Sequence, residues 1–314
     1  MGRTVVMFPG QGAQIKGMGE DFYNQSEQSR NCFEKAQSVT GIDLKSLIFE
    51  ENENLNKTEY TQIALYVTET AMLAEAVKNN FTYDCAIGLS LGEYSALTAC
   101  GGIDFEDGAR LVRKRGIYME NAVPAGNGTM AAVLGLAGER VEDVIAGCGF
   151  DNVCVANYNC PGQVVISGEK QNVLKVMDKL KAAGAKRVIE LNVSGPFHSP
   201  MLKAAGEQLF EDLKDIKINN LKLPYFANYT AEAVGTDTKA DEIRELLAKQ
   251  VYSSVKFEQS IRKIIADGYD TFVEIGPGKT LTGFVKKTAK EMERENIRLI
   301  NIEKISDIEK LSDI

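Results

Sequence analysis

One pentapeptide constrains the fold more than any other part of this sequence. Residues 88–92 read Gly-Leu-Ser-Leu-Gly, a G-x-S-x-G pattern, with an apolar run at 85–87 before it and a helix-forming stretch at 93–99 after it. A strand that turns sharply into a helix needs glycines beside the turn residue and exposes that residue's hydroxyl. The context therefore favours a nucleophilic Ser90 over a plain tight turn. The amide of Leu91 then lies at a helix N-terminus, where it can stabilise an oxyanion.

Composition excludes several classes of function. A net charge of −8 over 314 residues argues against nucleic acid as a partner, and no apolar run reaches membrane length, nor does the N-terminus resemble a signal peptide. Six cysteines without a C-x-x-C pair indicate reduced thiols of a cytoplasmic protein. One histidine in the whole chain makes a metal site improbable, and we expect no cofactor.

That single histidine, His198, is the candidate base. It lies in a loop bracketed by glycine and proline, just before a helix predicted over 202–213. A lone histidine is usually a surface or structural residue. A nucleophilic serine needs a base, however, and an unperturbed imidazole pKa near 6.5 suits that task.

The periodicity along the chain predicts an α/β protein. We expect a first strand at 4–8, followed by the Gly-rich loop 9–14. The backbone amide of Gln11 in this loop is a candidate second oxyanion donor. The glycines of the loop lack the spacing of a nucleotide-binding motif. Helices are predicted at 21–38, 60–78 (buried all round), 105–121 (with Asp104 as N-cap), 242–251, 259–267 and 281–291. Strands are predicted at 225–228, 271–275 and 298–302, and a peripheral or frayed tail at 303–314.

A β-α-β-β-α-β order between residues 129 and 191 is typical of a ferredoxin-like unit. We therefore predict a mostly parallel sheet covered on both faces, formed by residues 1–124 and 195–314, with a small inserted subdomain at 125–194.

Arg115 occupies an apolar stripe of its predicted helix, since Leu111, Arg115 and Met119 follow one another at four-residue spacing. A charge on such a stripe needs a partner. Spacing alone leaves two readings equally open, a structural ion pair or a contact to an anionic group of a substrate.

The chain resembles the malonyl-CoA:acyl-carrier-protein transacylases of bacterial fatty-acid synthesis, with six motifs in that family's order. The motifs are Phe-Pro-Gly-Gln-Gly-Ala-Gln at 8–14, Gly-Leu-Ser-Leu-Gly-Glu-Tyr-Ser-Ala-Leu at 88–97, Leu-Val-Arg-Lys-Arg-Gly at 111–116, Ala-Asn-Tyr-Asn-Cys-Pro-Gly-Gln at 156–163, Gly-Pro-Phe-His-Ser at 195–199 and Val-Glu-Ile-Gly-Pro-Gly at 273–278. The chain departs from the family where Leu89 stands in place of a frequent His, and Ser254 in place of a frequent Pro. The resemblance also implies an α/β-hydrolase-like core with an inserted ferredoxin-like subdomain.

The resemblance assigns roles to residues of this chain. It implies Ser90 as nucleophile, His198 as base held by a backbone carbonyl near a catalytic Gln250, and the amides of Gln11 and Leu91 as the oxyanion hole. Arg115 would hold the malonyl carboxylate. We predict further substrate contacts at Met119, Asn159 and Phe197.

The implied reaction is a ping-pong transfer of malonyl from malonyl-CoA to the phosphopantetheine thiol of acyl carrier protein. A serine esterase or thioesterase with the same elbow, and a non-catalytic module that binds carrier protein, are the alternatives. Because acyl carrier protein is typically acidic, docking needs a local basic patch. The candidates are Lys181, Lys186 and Arg187, or Lys286, Lys287 and Lys290, although either group could be a merely solvated face.

Overall fold

The computed structural model describes residues 2–312 and 314, and this part of the chain contains ten strands. They are β1 (Arg3–Phe8), β2 (Cys85–Gly88), β3 (Gly128–Leu134), β4 (Val153–Cys160), β5 (Gln163–Glu169), β6 (Arg187–Glu190), β7 (Tyr225–Phe226), β8 (Ala233–Val234), β9 (Tyr269–Ile275) and β10 (Arg298–Ile302).

Six of these strands form the main sheet, in the order β10-β9-β1-β2-β7-β8. All neighbours run parallel except β7 and β8 at one edge. The central strands β1 and β2 are apolar and buried, as expected of a parallel sheet with helices on both faces. The predicted mostly parallel sheet is confirmed. The short antiparallel strand β8 was not predicted from the sequence.

The other four strands form a separate antiparallel sheet in the order β4-β5-β3-β6. Numbered within the unit, this order is 2-3-1-4, which places the first and third strands at the centre. Valine and isoleucine side chains from its strands pack with those of two helices in a core of their own. The predicted ferredoxin-like arrangement is therefore confirmed.

Twelve α-helices cover the two sheets in the described residues. They are α1 (Glu20–Gln25), α2 (Glu27–Thr40), α3 (Leu44–Phe49), α4 (Thr58–Lys78), α5 (Gly92–Ala99), α6 (Phe105–Asn121), α7 (Gly138–Cys148), α8 (Lys170–Ala182), α9 (Lys203–Lys214), α10 (Ala240–Val251), α11 (Phe257–Ala266) and α12 (Thr280–Glu291).

The structure differs from the prediction at three helices. The stretch predicted as one helix over 21–38 is two, because Ser26 adopts an extended conformation and its Oγ accepts a hydrogen bond from the amide of Ser29 at 3.1 Å. Helix α3 was not predicted. Asp104 does precede α6, but its side chain accepts a hydrogen bond from Asn219 (3.1 Å) and does not cap the helix.

The chain terminus is more ordered than predicted. Residues Ile305–Leu311 form a 3₁₀ helix, Leu311 is buried, and the amide of Ile305 donates to Asp21 Oδ2 at 2.7 Å. These contacts attach the segment to α1. Of the predicted alternatives, a peripheral or a frayed tail, the frayed one is wrong for this segment; Asp313 lies outside the described residues.

Candidate active site

Ser90 occupies a sharp turn between β2 and α5. Its φ of 54° lies in the left-handed region, which L-residues other than glycine, asparagine and aspartate seldom adopt. The glycines on either side allow this turn. A Cβ on Gly88 would lie 1.8 Å from the carbonyl carbon of Gly92, and a Cβ on Gly92 would lie 2.2 Å from the carbonyl oxygen of Phe8. The close approach of three backbone segments therefore explains the G-x-S-x-G pattern.

The imidazole of His198 lies directly beside this serine. Ser90 Oγ and His198 Nε2 are 2.7 Å apart, and His198 Nδ1 lies 2.8 Å from the carbonyl oxygen of Gln250. Because a carbonyl oxygen can only accept, Nδ1 carries the hydrogen and Nε2 is free to accept the serine proton. Burial, and then the positive charge of Arg115, lower the pKa of His198 to about 4. The imidazole is therefore neutral at physiological pH, as a base must be.

Arg115 is buried against the same serine. Its Nη2 donates to Ser90 Oγ at 3.1 Å and to Gln250 Oε1 at 2.8 Å, while Nη1 donates to Gln62 Oε1 at 2.6 Å. Its guanidinium carbon also lies 5.2 Å from the ring centroid of Tyr94.

The other basic residues of α6 behave differently from Arg115. Arg110, Arg113 and Lys114 form ion pairs with Asp107, Glu59 and Asp212. Arg115 instead bonds to neutral oxygens, and its Nε has no hydrogen-bond partner among the described residues. Burial lowers its pKa. A buried guanidinium with neutral partners, next to the hydroxyl of Ser90, fits an anion-binding role better than a structural ion pair.

The two predicted oxyanion donors come from neighbouring loops. The loop after β1 packs on the elbow so closely that a Cβ on Gly10 would lie 2.4 Å from the carbonyl oxygen of Leu89. Within the described residues, neither the amide of Gln11 nor that of Leu91 has a hydrogen-bond partner. Two free amides beside a serine hydroxyl can stabilise the negative charge of a tetrahedral intermediate.

A cleft of about 290 Å³ opens above Ser90 and His198, between the two sheets. Met119, Asn159 and Phe197, the three further predicted contact residues, all line it, as does Gln11. Asn159 is 7% exposed, and its Oδ1 has no partner among the described residues. Arg115 is buried and does not form part of the lining.

Three residues of this site were not identified from the sequence. Asn228 spans the elbow: its Oδ1 accepts from the amide of Ser90 and its Nδ2 donates to the carbonyl of Gly88, both at 2.7 Å. Gln62 holds Arg115, and Glu93 accepts from the side-chain amide of Gln250 at 2.7 Å. Glu93 belongs to the elbow motif, and this motif was the only sequence signal that could have identified it. Asn228 and Gln62 lie in stretches that contain no motif pointing to a functional role.

No group of three or more His, Cys, Asp or Glu residues within 2–312 and 314 is arranged to hold a metal ion. None of the helices in this part of the chain combines the length and apolar character needed to cross a bilayer.

Comparison with known proteins gives one consistent family. Residues 5–306 match the acyl transferase domain. The malonyl CoA-acyl carrier protein transacylase of Bacillus subtilis (strain 168) is 44% identical over 295 residues, 93% of this chain and 92% of that protein. The protein of the same name from Staphylococcus aureus (strain MRSA252) is 39% identical over 311 residues, 98% of each chain.

Solved structures agree with these relatives. The malonyl CoA-acyl carrier protein transacylase from Clostridium perfringens ATCC 13124 has a TM-score of 0.92 at 44% identity and covers 98% of this chain and 95% of its own. A second match comes from the solved complex entitled "PlMCAT:AntF (holo): type II PKS acyl-carrier protein in complex with its malonyl-transacylase". The matched chain has a TM-score of 0.93 at 33% identity, and the match covers 99% of this chain and 99% of that one.

Proposed function

The chain belongs to the acyl transferase family, and on that premise we propose that it transfers the malonyl group from malonyl-CoA to the phosphopantetheine thiol of acyl carrier protein. The observation that carries this proposal is that a base, His198, and a cation, Arg115, contact the same serine hydroxyl. Ser90 Oγ lies 2.7 Å from His198 Nε2 and 3.1 Å from Arg115 Nη2, so a nucleophile, a neutral base and a buried carboxylate receptor meet at one atom.

The first half-reaction forms a malonyl-serine ester. His198 Nε2 accepts the Ser90 proton as Oγ attacks the thioester carbonyl. The carbonyl of Gln250 stabilises the resulting imidazolium by accepting from Nδ1. When the carbon–sulfur bond breaks, the imidazolium protonates the departing CoA thiolate. The amides of Gln11 and Leu91 hold the oxyanion in between.

The second half-reaction reverses these steps with a different thiol. The pantetheine thiol of acyl carrier protein gives its proton to His198 and attacks the malonyl ester. Ser90 leaves with the proton returned by the imidazolium. Nucleophile, base and carboxylate receptor are all side chains of this chain, so the transfer needs no cofactor.

Arg115 selects the malonyl group in this scheme. The substrate carboxylate takes the place of Ser90 Oγ as acceptor from the guanidinium, and the serine is then free to attack. A charge-assisted contact of this kind is stronger than one between neutral groups. Met119, Asn159 and Phe197 shape the cleft around the acyl and pantetheine groups, with Asn159 Oδ1 as an acceptor.

For carrier-protein docking we propose the basic patch formed by Lys286, Lys287 and Lys290 on α12. All three are exposed, and the same helix lines the cleft with Leu281 and Phe284. Lys287 Nζ also lies 3.5 Å from Gln163 Oε1 on the cleft wall. In the alternative patch, Lys181 already pairs with Asp178. Charge reversal at Lys287 should raise the KM for carrier protein, whereas reversal at Lys181 should not.

Two further proposals concern organisation and location. We propose that residues 125–194, which contain the antiparallel sheet, form a small subdomain inserted into the catalytic core of residues 1–124 and 195–314. We propose that the protein acts in the cytoplasm, which suits its six free thiols and its acyl-CoA substrate.

The decisive test follows the acyl group. Purified protein is mixed with malonyl-CoA and quenched, and the modified peptide is identified by mass spectrometry, with Ser90→Ala as control. Holo acyl carrier protein is then added. A label on Ser90 that moves to the carrier establishes the proposal. A label lost to water at the same rate with or without carrier indicates a thioesterase, and no label on folded protein indicates a non-catalytic module.

A further inference from the structure

The buried carboxylate of Glu93 takes no part in the reaction steps above, yet it touches the residues that hold them in place. Glu93 lies in the first turn of α5 and has no exposed surface. Its Oε2 accepts from Gln250 Nε2 at 2.7 Å and from the backbone amide of Asn228 at 3.1 Å. Its Oε1 has no partner among the described residues. The carboxylate of Glu93 thus bonds neither the nucleophile nor the base; only the backbone amide of Glu93 does so, donating to the carbonyl of Ser90 at 3.2 Å.

The contact with Gln250 fixes which way that side-chain amide faces. A carboxylate can only accept hydrogen bonds, so the NH₂ group of Gln250 must point toward Glu93. The same NH₂ group donates to the carbonyl of Ser90 at 2.7 Å. The amide oxygen is therefore directed at Arg115, whose Nη2 donates to it at 2.8 Å.

The contact with Asn228 acts on the elbow. Glu93 anchors the backbone of Asn228, and the Asn228 side chain bonds both the amide of Ser90 and the carbonyl of Gly88. These bonds hold Ser90 at its positive φ. One carboxylate therefore supports two separate restraints, one on the serine backbone and one on the guanidinium.

We propose that Glu93 is a positioning residue, which orients Gln250 and Asn228 and thereby aligns Ser90 with Arg115 for malonyl transfer. The inference rests on the proposed function. A misalignment of about 1 Å in a reacting group can lower the rate by roughly 100-fold, so loss of the carboxylate should be visible in the kinetics.

The charge state of Glu93 adds a pH dependence. Burial raises its pKa to about 7, against the lowering effects of the bonds from Gln250 and Asn228 and of the Arg115 charge. The other ionisable groups that face it are Tyr94 on its own helix and Tyr225 on β7. Below pH 7 the carboxyl gains a proton and accepts more weakly. We therefore expect kcat/KM of the wild type to fall as the pH drops through 7, well above the pKa of His198.

Three variants test this role. Glu93→Leu removes both acceptors at similar volume, whereas Glu93→Gln keeps an acceptor for both donors and cannot titrate. Glu69→Leu is the matched control, since Glu69 is equally buried and also bonds a residue of α5, Ser95, at 2.6 Å, without contacting the site. Each variant is assayed for kcat/KM with malonyl-CoA and acetyl-CoA from pH 5 to 9, together with its thermal midpoint.

Support for the proposal has three parts. Glu93→Leu loses about 10- to 100-fold in kcat/KM with a reduced malonyl-to-acetyl ratio, Glu93→Gln recovers most of that loss at pH 8, and the decline near pH 7 is missing in Glu93→Gln. Glu69→Leu loses stability only. The proposal is overturned if folded Glu93→Leu stays within about 3-fold of wild type, if Glu93→Gln is as impaired as Glu93→Leu, or if its pH profile matches wild type.

These results also separate this inference from the proposed function. If Glu93→Leu fails to fold, the pH profile of Glu93→Gln still decides. If the wild-type protein takes no malonyl label, the proposed function fails. If the wild type is labelled but Glu93→Leu is labelled equally fast, only the positioning role of Glu93 fails.

Discussion

Replacing Arg115 by alanine tests the selectivity of the site most directly. Arg115 is 1% exposed, so a carboxylate that binds its guanidinium is shielded from water. Hydrogen bonds to charged groups contribute about 1.5–3 kcal/mol each. Two such bonds give about 3–6 kcal/mol, which corresponds to a loss of roughly 10²–10⁴-fold in kcat/KM for malonyl-CoA. Because ground state and transition state both carry the carboxylate, much of this loss should appear in KM.

Acetyl-CoA provides the internal comparison. It has no carboxylate, so Arg115→Ala removes from its reaction only the support of Ser90 Oγ and Gln250. We expect only about a 10-fold loss for acetyl transfer, in line with the lower end of the range for one hydrogen bond from a charged donor. The assay is kcat/KM for both acyl-CoAs with holo carrier protein as acceptor.

The stability of the variant must be measured alongside its activity. Arg115→Ala leaves Gln62 Oε1 and Gln250 Oε1 without their donor, at about 1–3 kcal/mol for each buried group. Assays are therefore run well below the thermal midpoint of the variant. Arg113→Ala is the matched control, because Arg113 lies on the same helix but pairs with Glu59. Equal losses for malonyl and acetyl transfer in Arg115→Ala would refute the selectivity argument.

Three other changes examine the elbow, the base and the cleft. Gly92→Ala should lower the free energy of unfolding by about 1–3 kcal/mol and abolish Ser90 labelling, because the added Cβ would lie 2.2 Å from the carbonyl oxygen of Phe8. The control Gly147→Ala has open space around the added Cβ and should not destabilise the protein. Equal denaturant midpoints for the two variants would contradict the packing argument. The NMR signals of the single histidine should show His198 neutral down to pH 5, and Arg115→Ala should raise its pKa because a nearby positive charge is removed; a wild-type titration near 6.5 would be contrary to this reasoning. Asn159→Ala should raise KM for malonyl-CoA about 2- to 10-fold with no loss of thermal stability, since its Oδ1 has no partner to lose; an unchanged KM would remove Asn159 from the binding site.

Local features of the chain were readable from the sequence. Helix α4 follows from a long stretch that is apolar on nearly all sides, and the strand-turn-helix around Ser90 follows from an apolar run and from glycines at 88 and 92. The antiparallel unit follows from the order of its strands and helices. Such signals involve residues within a few positions of each other, and short-range sterics and hydrogen bonding largely decide them.

Contacts between distant segments were decided only by the tertiary structure. Spacing left Arg115 between a structural ion pair and an anion receptor; in the fold it bonds Gln62 and Gln250, 53 and 135 residues away, and meets Ser90. Asn228 holds the amide of Ser90 across 138 residues and had no sequence signal at all.

The physical reason lies in how each kind of interaction is specified. A strand, a helix or a tight turn is specified by neighbouring residues, so its pattern survives in the linear chain. A hydrogen bond between buried polar side chains depends on sheet order and helix packing, which place two groups within 3 Å. The sequence by itself therefore determined the elbow, its serine and the candidate base, while the folded chain decided what holds them and which charge faces them.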